Sequence, residues 1–200
     1  MNLPNKITIA RILLIPVMMI IPYIGFDTPI GYGISVANLI VLTIFLIASF
    51  TDFLDGHIAR KRNIVTNFGK FLDPIADKLL VLAALIMLVE TGIIPGWIPI
   101  IIAAREFMVS AIRMLAASEG KVIAASKLGK IKTVTQMVAI SLAFLDVNSF
   151  FEFTTGTIGG GFVFGLNILM SIAMVLAVVA TIWSGIDYFM KSKEVVLNSK

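Results

Sequence analysis

The chain has 200 residues, of which 58% are hydrophobic and 14% are charged, and its mean hydropathy is +1.00. Soluble domains are about 45–50% apolar and about 25% charged, so this composition excludes an ordinary soluble domain and predicts an integral membrane protein. The absence of cysteine excludes disulfides, thiolate metal ligands and thiol nucleophiles, and one histidine, His57, gives little basis for a histidine metal centre. The net charge of +4 is less informative than the distribution of the charges along the chain.

Six apolar stretches are long enough to cross a membrane, since about 20 residues span the hydrocarbon core. They are residues 7–24, 36–58, 71–89, 97–117, 132–147 and 164–188. The fifth stretch is the least apolar, because threonine, glutamine and serine side chains interrupt it. Turns that contain glycine or proline separate the stretches, and no repeat divides the chain. We therefore expect a single all-α membrane domain over residues 1–200, with six transmembrane helices.

Basic residues lie at or near one set of helix ends. They are Lys6, Arg11, Arg60, Lys61, Arg62, Lys70, Lys78, Arg105, Arg113, Lys121, Lys127, Lys130, Lys132, Lys191, Lys193 and Lys200. The loops at the opposite ends contain Asp27, Glu90, Asp146 and Glu152 but no lysine or arginine. The positive-inside rule then predicts a multi-pass protein of the cell membrane with both termini in the cytoplasm. Membrane lipids, and no nucleic acid, are the expected partners.

Four aspartates are concentrated where the second and third stretches meet, in the segment DFLDGHIARKRNIVTNFGKFLDPIAD. Asp52 and Asp55 are three residues apart and Asp73 and Asp77 are four apart, so each pair lies on one face of a helix. An aspartate within a membrane costs about 3 kcal/mol on insertion scales, so these carboxylates require a counter-charge. Carboxylates without histidine or cysteine suit two Mg²⁺ or Mn²⁺ ions, which can clamp phosphate oxygens for an in-line displacement. The sequence therefore predicts a phosphoryl-transfer site that faces the cytoplasm.

The same segment resembles the signature of the CDP-alcohol phosphotransferase family, D-x2-D-G-x2-A-R-x8-G-x3-D-x3-D, at every fixed position. The resemblance implies that the four aspartates bind two metal ions and that Asp77 is also the general base for the acceptor hydroxyl. It implies that the donor is CDP-diacylglycerol, with CMP as leaving group. The residues it assigns to the cytidine diphosphate site are Gly56, Ala59, Arg60 and Gly69. The family layout also implies a homodimer.

A second polar cluster indicates the acceptor. Arg105 and Arg113 are eight residues apart on one predicted helix face, and Lys132 begins the fifth stretch. Two arginines and a lysine suit an anionic acceptor that is bound through a phosphate. The segments NLPNKITIARI, AREF and GKIKT resemble family members that use sn-glycerol 3-phosphate, which implies that these three cations hold its phosphate. Thr8, Arg11 and Lys130 are secondary candidates at the same cavity.

The same residues allow other interpretations of their roles. The aspartates could form structural pairs with neighbouring basic residues, Arg105 could pair with Glu106, and Arg113 could extend to lipid headgroups. The acceptor could be inositol phosphate, serine or phosphatidylglycerol. A divalent-cation transporter is a further alternative, although its acids should line the full membrane depth, and here they are confined to one end.

Overall fold

The computed structural model of the protein describes residues 3–26, 28–31, 34–62, 67–118, 127–146, 148–152 and 160–193. It describes their side chains apart from those of residues 3–5, 31, 52–62, 67–71, 73, 127 and 160.

Six long helices form the described part of the chain, as the apolar stretches predict. They are α1 Leu3–Ile20, α2 Val36–Arg62, α3 Asn67–Glu90, α4 Trp97–Ser118, α5 Lys127–Leu145 and α6 Gly160–Lys191. A short 3-10 helix, Ile21–Ile24, extends α1. A small antiparallel hairpin of β1 (Pro29–Gly31) and β2 (Ile34–Ser35) then leads into α2. The fold is thus helical, as predicted, apart from this hairpin.

Turn and capping residues define the helix termini on the side of the bundle opposite the aspartates. Pro22 lies in the first turn of the 3-10 helix, and Gly25 ends it with a φ of 89°. The hydroxyl of Ser35 accepts a hydrogen bond of 3.1 Å from the backbone N–H of Asn38 and so caps α2. Gly92 has a φ of 75° directly after α3, where a residue with a side chain would be strained. These features turn the chain back sharply after α1 and α3.

Apolar side chains from several helices form one continuous core. Met18 of α1, Phe45 of α2, Leu80 of α3 and Ile140 of α5 are each at most 1% exposed. Helix α6 packs most extensively against α5 and next against α4, while α1 packs against α2 and α3. This packing fixes the relative positions of α3, α4 and α5, the three helices that surround the candidate site.

By length and composition, three helical stretches of the described chain can cross a membrane: Lys6–Ile24, Leu128–Leu145 and Gly161–Lys191. Val36–Thr51 is a shorter apolar stretch within α2. Helix α4 is long enough at 22 residues but carries Arg105, Glu106 and Arg113. The charges that make this helix less apolar belong to the candidate site.

Helix α5 satisfies its three hydroxyl side chains through its own backbone. The hydroxyls of Thr133, Thr135 and Ser141 donate to the carbonyl four residues earlier, at 3.1, 3.0 and 2.8 Å. Such bonds hide a hydroxyl from an apolar environment, which explains how the least apolar predicted stretch still forms a long helix. Gln136 on the same helix makes no such bond within the described structure.

Candidate functional site

The four signature aspartates lie on two helices that meet at one end of the bundle. Asp52 and Asp55 are in the last turns of α2, Asp73 and Asp77 are in the first turns of α3, and the two helices are in contact. Only Asp77 has a side chain among the described ones. The same two helices carry the residues predicted to bind the nucleotide, which are Gly56, Ala59, Arg60 and Gly69. Their side chains are not among those that the structure describes. The paired spacings on helices are thus present, and the mutual geometry of the four carboxylates stays a prediction.

Asp77 lines a polar cleft between α3, α4 and α5, which we call the acceptor cleft. Its walls are Asp77, Lys78, Val81, Glu106, Lys132, Thr133, Gln136 and Met137. Asp77 is half-buried in this position. The cleft therefore combines a carboxylate of the signature with Lys132, which the sequence analysis assigned to the acceptor.

Glu106 joins two of the three cations that were predicted to bind the acceptor, Arg105 and Lys132. Its Oε1 accepts a hydrogen bond from Arg105 Nη1 at 2.9 Å and another from Lys132 Nζ. The side chain of Lys132 is 5% exposed, that of Arg105 12% and that of Glu106 21%. Charges this enclosed are stable only when they are paired, so the carboxylate holds Lys132 at the cleft and Arg105 next to it. The pair of Arg105 and Glu106, which was the alternative interpretation of Arg105, is present as one half of a three-residue bridge.

Helix α6 supports Arg105 from behind. Arg105 Nε donates to the hydroxyl of Ser184 at 3.1 Å, and that hydroxyl donates to the carbonyl of Thr181 at 3.0 Å. Gly185, the next residue, is buried, and a Cβ added there would lie 3.1 Å from Cγ of Arg105. The small residues of α6 thus let two helices approach closely at the arginine and fix its guanidinium.

Arg113 lies further along α4 and makes different contacts. Its Nε donates to the hydroxyl of Tyr188 at 3.3 Å, and its guanidinium carbon is 5.6 Å from the centre of the Tyr188 ring. Tyr188 is buried, whereas Arg113 is exposed. A cation over an aromatic face is a stabilising contact that also fixes the orientation of the cation. Arg113 is not one of the residues that line the acceptor cleft.

Lys78 turns toward α4 and away from the carboxylate of its neighbour Asp77. Its ammonium donates to the hydroxyl of Ser110, which in turn donates to the backbone carbonyl of Glu106 at 2.8 Å. This chain of bonds ties α3 to α4 beside the cleft. Lys78 therefore lines the acceptor cleft together with Lys132, whereas Arg105 is not one of the cleft walls and is linked to the cleft through Glu106.

The secondary candidates differ in their exposure. Thr8 and Arg11 on α1 are 3% and 2% exposed, which is unusual for a polar and a charged side chain. Lys130 is exposed and Lys132 is buried, because residues two positions apart on α5 face different directions. Lys130 is not one of the cleft walls. The structure thus brings Lys132 to Asp77 and leaves Lys130 outside.

Sequence reasoning did not assign Gln136, Ser184 or Tyr188 to this region, and it assigned Glu106 a single partner. Glu106 is the sole acid of α4, and an acid in an apolar helix usually needs a nearby cation. Gln136 follows Lys132 by four residues and so shares its helix face. These signals were available in the sequence. The partners on α6 depend on tertiary packing and had no local signal.

The donor set of this site suits hard divalent cations. All four signature residues are carboxylates placed at helix spacing, and Asp77 lines a polar cleft. Carboxylate oxygens are the preferred ligands of Mg²⁺ and Mn²⁺, and the sequence contains no cysteine and one histidine to favour a softer metal. The residues present therefore fit the predicted metal ions.

Comparisons with known proteins point in the same direction. The model of a family described as CDP-alcohol phosphatidyltransferase matches residues 1–183. A protein of Bacillus subtilis (strain 168), named CDP-diacylglycerol–glycerol-3-phosphate 3-phosphatidyltransferase, is 48% identical over 99% of this chain and 98% of its own length. A protein of Rickettsia felis with the same name is 40% identical over 96% of each chain. A probable phosphatidylglycerophosphate synthase of Mycobacterium tuberculosis (strain H37Rv) is 35% identical over 94% of this chain and 79% of its own length.

Proposed function

This chain belongs to the CDP-alcohol phosphatidyltransferase family, and we propose that it transfers the phosphatidyl group of CDP-diacylglycerol to sn-glycerol 3-phosphate. The products are phosphatidylglycerophosphate and CMP. The names of the full-length relatives support this reaction. The observation that carries it is the acceptor cleft, where Asp77 lies on the same walls as Lys132 and its partner Glu106. A proton acceptor beside paired cations suits an acceptor that carries both a hydroxyl and a phosphate.

Arg105 and Lys132 hold the acceptor phosphate in this proposal. A guanidinium has five N–H donors and an ammonium has three. Two donors of Arg105 are used by Glu106 and Ser184, and one of Lys132 is used by Glu106. Both side chains therefore keep donors for phosphate oxygens without losing the bridge that orients them. Arg113, held by Tyr188, adds positive charge further along α4.

Asp77 is the proposed general base. The hydroxyl of the acceptor attacks the phosphorus that bears diacylglycerol, the new O–P bond forms, and the bond from that phosphorus to the CMP oxygen breaks. The hydroxyl proton passes to the Asp77 carboxylate, and CMP leaves with the electron pair of the broken bond. A cleft that fixes the phosphate near Asp77 supplies the proximity that such a step needs.

We assign the donor side of the site to α2 and the start of α3. Asp52, Asp55, Asp73 and Asp77 would hold two Mg²⁺ or Mn²⁺ ions, which neutralise the diphosphate and stabilise the departing CMP when they are bound. The cytidine diphosphate would lie against Gly56, Ala59, Arg60 and Gly69. The acyl chains of the donor can stay in the bilayer, because the apolar stretch Val36–Thr51 of α2 leads directly to this side of the site.

We propose six membrane crossings with both termini and the site on the cytoplasmic side of the cell membrane, supported by the placement of the basic residues. The natural lack of cysteine makes this testable with single-cysteine variants. A membrane-impermeant thiol reagent should label Glu152→Cys in intact cells and Lys193→Cys only after lysis. Labelling of Lys193→Cys in intact cells would overturn this orientation. Crosslinking between single cysteines at the helix surfaces would test the homodimer.

An acceptor panel tests the reaction itself. The purified protein is given CDP-diacylglycerol and Mg²⁺ or Mn²⁺ with glycerol 3-phosphate, inositol phosphate, serine or phosphatidylglycerol, and CMP and lipid product are measured together. Glycerol 3-phosphate should give the highest rate, and Asp77→Asn protein serves as the matched blank. CMP release with a different acceptor alone would replace the proposed substrate, and no release with any acceptor would reject the transferase activity.

A further inference from the structure

Gln136 is a buried polar residue of the acceptor cleft that the proposed reaction does not yet use. The residue is 3% exposed, and within the described structure neither its amide oxygen nor its amide nitrogen has a hydrogen-bond partner. Leaving a buried polar group unpaired costs about 1–3 kcal/mol. The neighbouring hydroxyls of α5 avoid this cost by bonding to their own helix backbone. An amide with two unpaired ends on the wall of a cleft points to a ligand with complementary groups.

The position of Gln136 relative to Lys132 indicates which part of the acceptor it meets. The two residues are four apart on α5 and both line the cleft, so Gln136 lies about 6 Å along the helix from the phosphate-binding lysine. Glycerol 3-phosphate carries a second hydroxyl on the carbon next to the phosphate-bearing carbon. That hydroxyl both donates and accepts, and a glutamine amide offers an acceptor oxygen and two N–H donors. The reacting hydroxyl is one carbon further from the phosphate and is assigned to Asp77.

We propose that Gln136 is a specificity-determining residue that hydrogen-bonds the central hydroxyl of the acceptor. This inference rests on the proposed function, because it presumes that the acceptor phosphate is held by Lys132. A site built to hydrogen-bond a substrate hydroxyl discriminates against the analogue that lacks it, since the amide of the site then stays unpaired. Gln136 thereby selects a hydroxylated acceptor over a simple alkyl phosphate.

The test compares two acceptors that differ in this one hydroxyl, glycerol 3-phosphate and 3-hydroxypropyl phosphate. Wild-type protein should prefer glycerol 3-phosphate by about tenfold or more in kcat/KM. The variant Gln136→Met keeps the side-chain length without the amide groups. It should bring the ratio of the two kcat/KM values close to one, mainly by lowering kcat/KM for glycerol 3-phosphate. Thr135→Val is the control on the same helix, because the Thr135 hydroxyl already bonds to the backbone at 3.0 Å. It should keep the wild-type preference.

A thermal melt separates substrate recognition from a structural role. Because the amide has no partner among the described residues, Gln136→Met should melt at or above the wild-type temperature. A Gln136→Met protein that melts well below wild type, or that keeps the wild-type preference, would overturn the inference. Wild-type protein that uses glycerol 3-phosphate without preference would overturn it and leave the proposed function standing. Wild-type protein that does not use glycerol 3-phosphate at all would overturn both.

Discussion

Replacement of Lys132 by methionine tests the acceptor site most directly. The substitution keeps an unbranched stem and removes the ammonium, which is buried and paired with Glu106. A hydrogen bond to a charged group contributes about 1.5–3 kcal/mol. Since about 1.4 kcal/mol corresponds to a factor of ten, kcat/KM for glycerol 3-phosphate should fall by about 10- to 150-fold. The side chain is only 5% exposed, so little water can replace the lost donor, and the upper part of this range is expected.

The variant should still fold. Removing one partner of a buried ion pair costs about 3–5 kcal/mol when the other charge is left alone. Here Glu106 keeps its bond to Arg105 at 2.9 Å and is itself 21% exposed, so the loss of stability should be well below that range. A melting curve of the purified Lys132→Met protein, in the detergent used for the assay, checks this point before any rate is interpreted.

The assay measures the initial rate of CMP release while glycerol 3-phosphate is varied at saturating CDP-diacylglycerol. A second series varies CDP-diacylglycerol at saturating glycerol 3-phosphate. Lys132→Met should lower kcat/KM for the acceptor and leave the KM for the donor within about twofold of wild type. Lys130→Met is the matched control, because it removes the same charge from an exposed position of the same helix. An unchanged acceptor dependence in Lys132→Met, or an equal fall in Lys130→Met, would refute the placement of the phosphate at Lys132.

Four further outcomes follow from the site. Asp77→Asn should abolish CMP release while folded protein still reaches the membrane, and wild-type turnover by this variant would remove Asp77 as the base. Glu106→Gln should lower the melting temperature in phosphate-free buffer, because the carboxylate is the counter-charge of two enclosed cations. Addition of glycerol 3-phosphate should raise the melting temperature of this variant part of the way back to that of wild type. An unchanged melting temperature would contradict that role. Gly185→Ala should reduce kcat/KM for the acceptor by displacing Arg105, whereas Gly165→Ala on the same helix, with nothing within 4 Å of its added Cβ, should not; equal effects would argue against the close approach. EDTA should stop CMP release and Mg²⁺ or Mn²⁺ should restore it, so full activity in EDTA would exclude the metal site.

The sequence predicted the elements of this fold better than their contacts. Long apolar stretches and breaking turns are local signals, and they placed all six helices. The polar residues of α5 weakened its signal, yet their bonds to the helix backbone keep it continuous. The sequence analysis did not predict the hairpin before α2, because strands of two or three residues show almost no hydrophobic periodicity.

The candidate site was predictable where one helix carries the pattern and not where several helices meet. The aspartate spacings and the cluster of acceptor cations are visible along the chain. The α6 partners of Arg105 and Arg113, Ser184 and Tyr188, are 79 and 75 residues away, and only the packing of α6 against α4 brings them together. For the same reason, the sequence around Lys78 could not predict that its ammonium would donate to Ser110 on α4.

The carboxylate of Glu106 would allow the proposed phosphate site to release its product. The lipid product keeps the phosphate of glycerol 3-phosphate, so two cations without a counter-charge would hold substrate and product alike. Such uniform binding does not accelerate the chemical step. Glu106 shares its Oε1 between Arg105 and Lys132, which orients both cations before the acceptor arrives and competes with any phosphate for their donors. In the proposed reaction, the bridge would therefore limit the affinity of the cleft for phosphate while it preserves the geometry that would place the acceptor hydroxyl at Asp77.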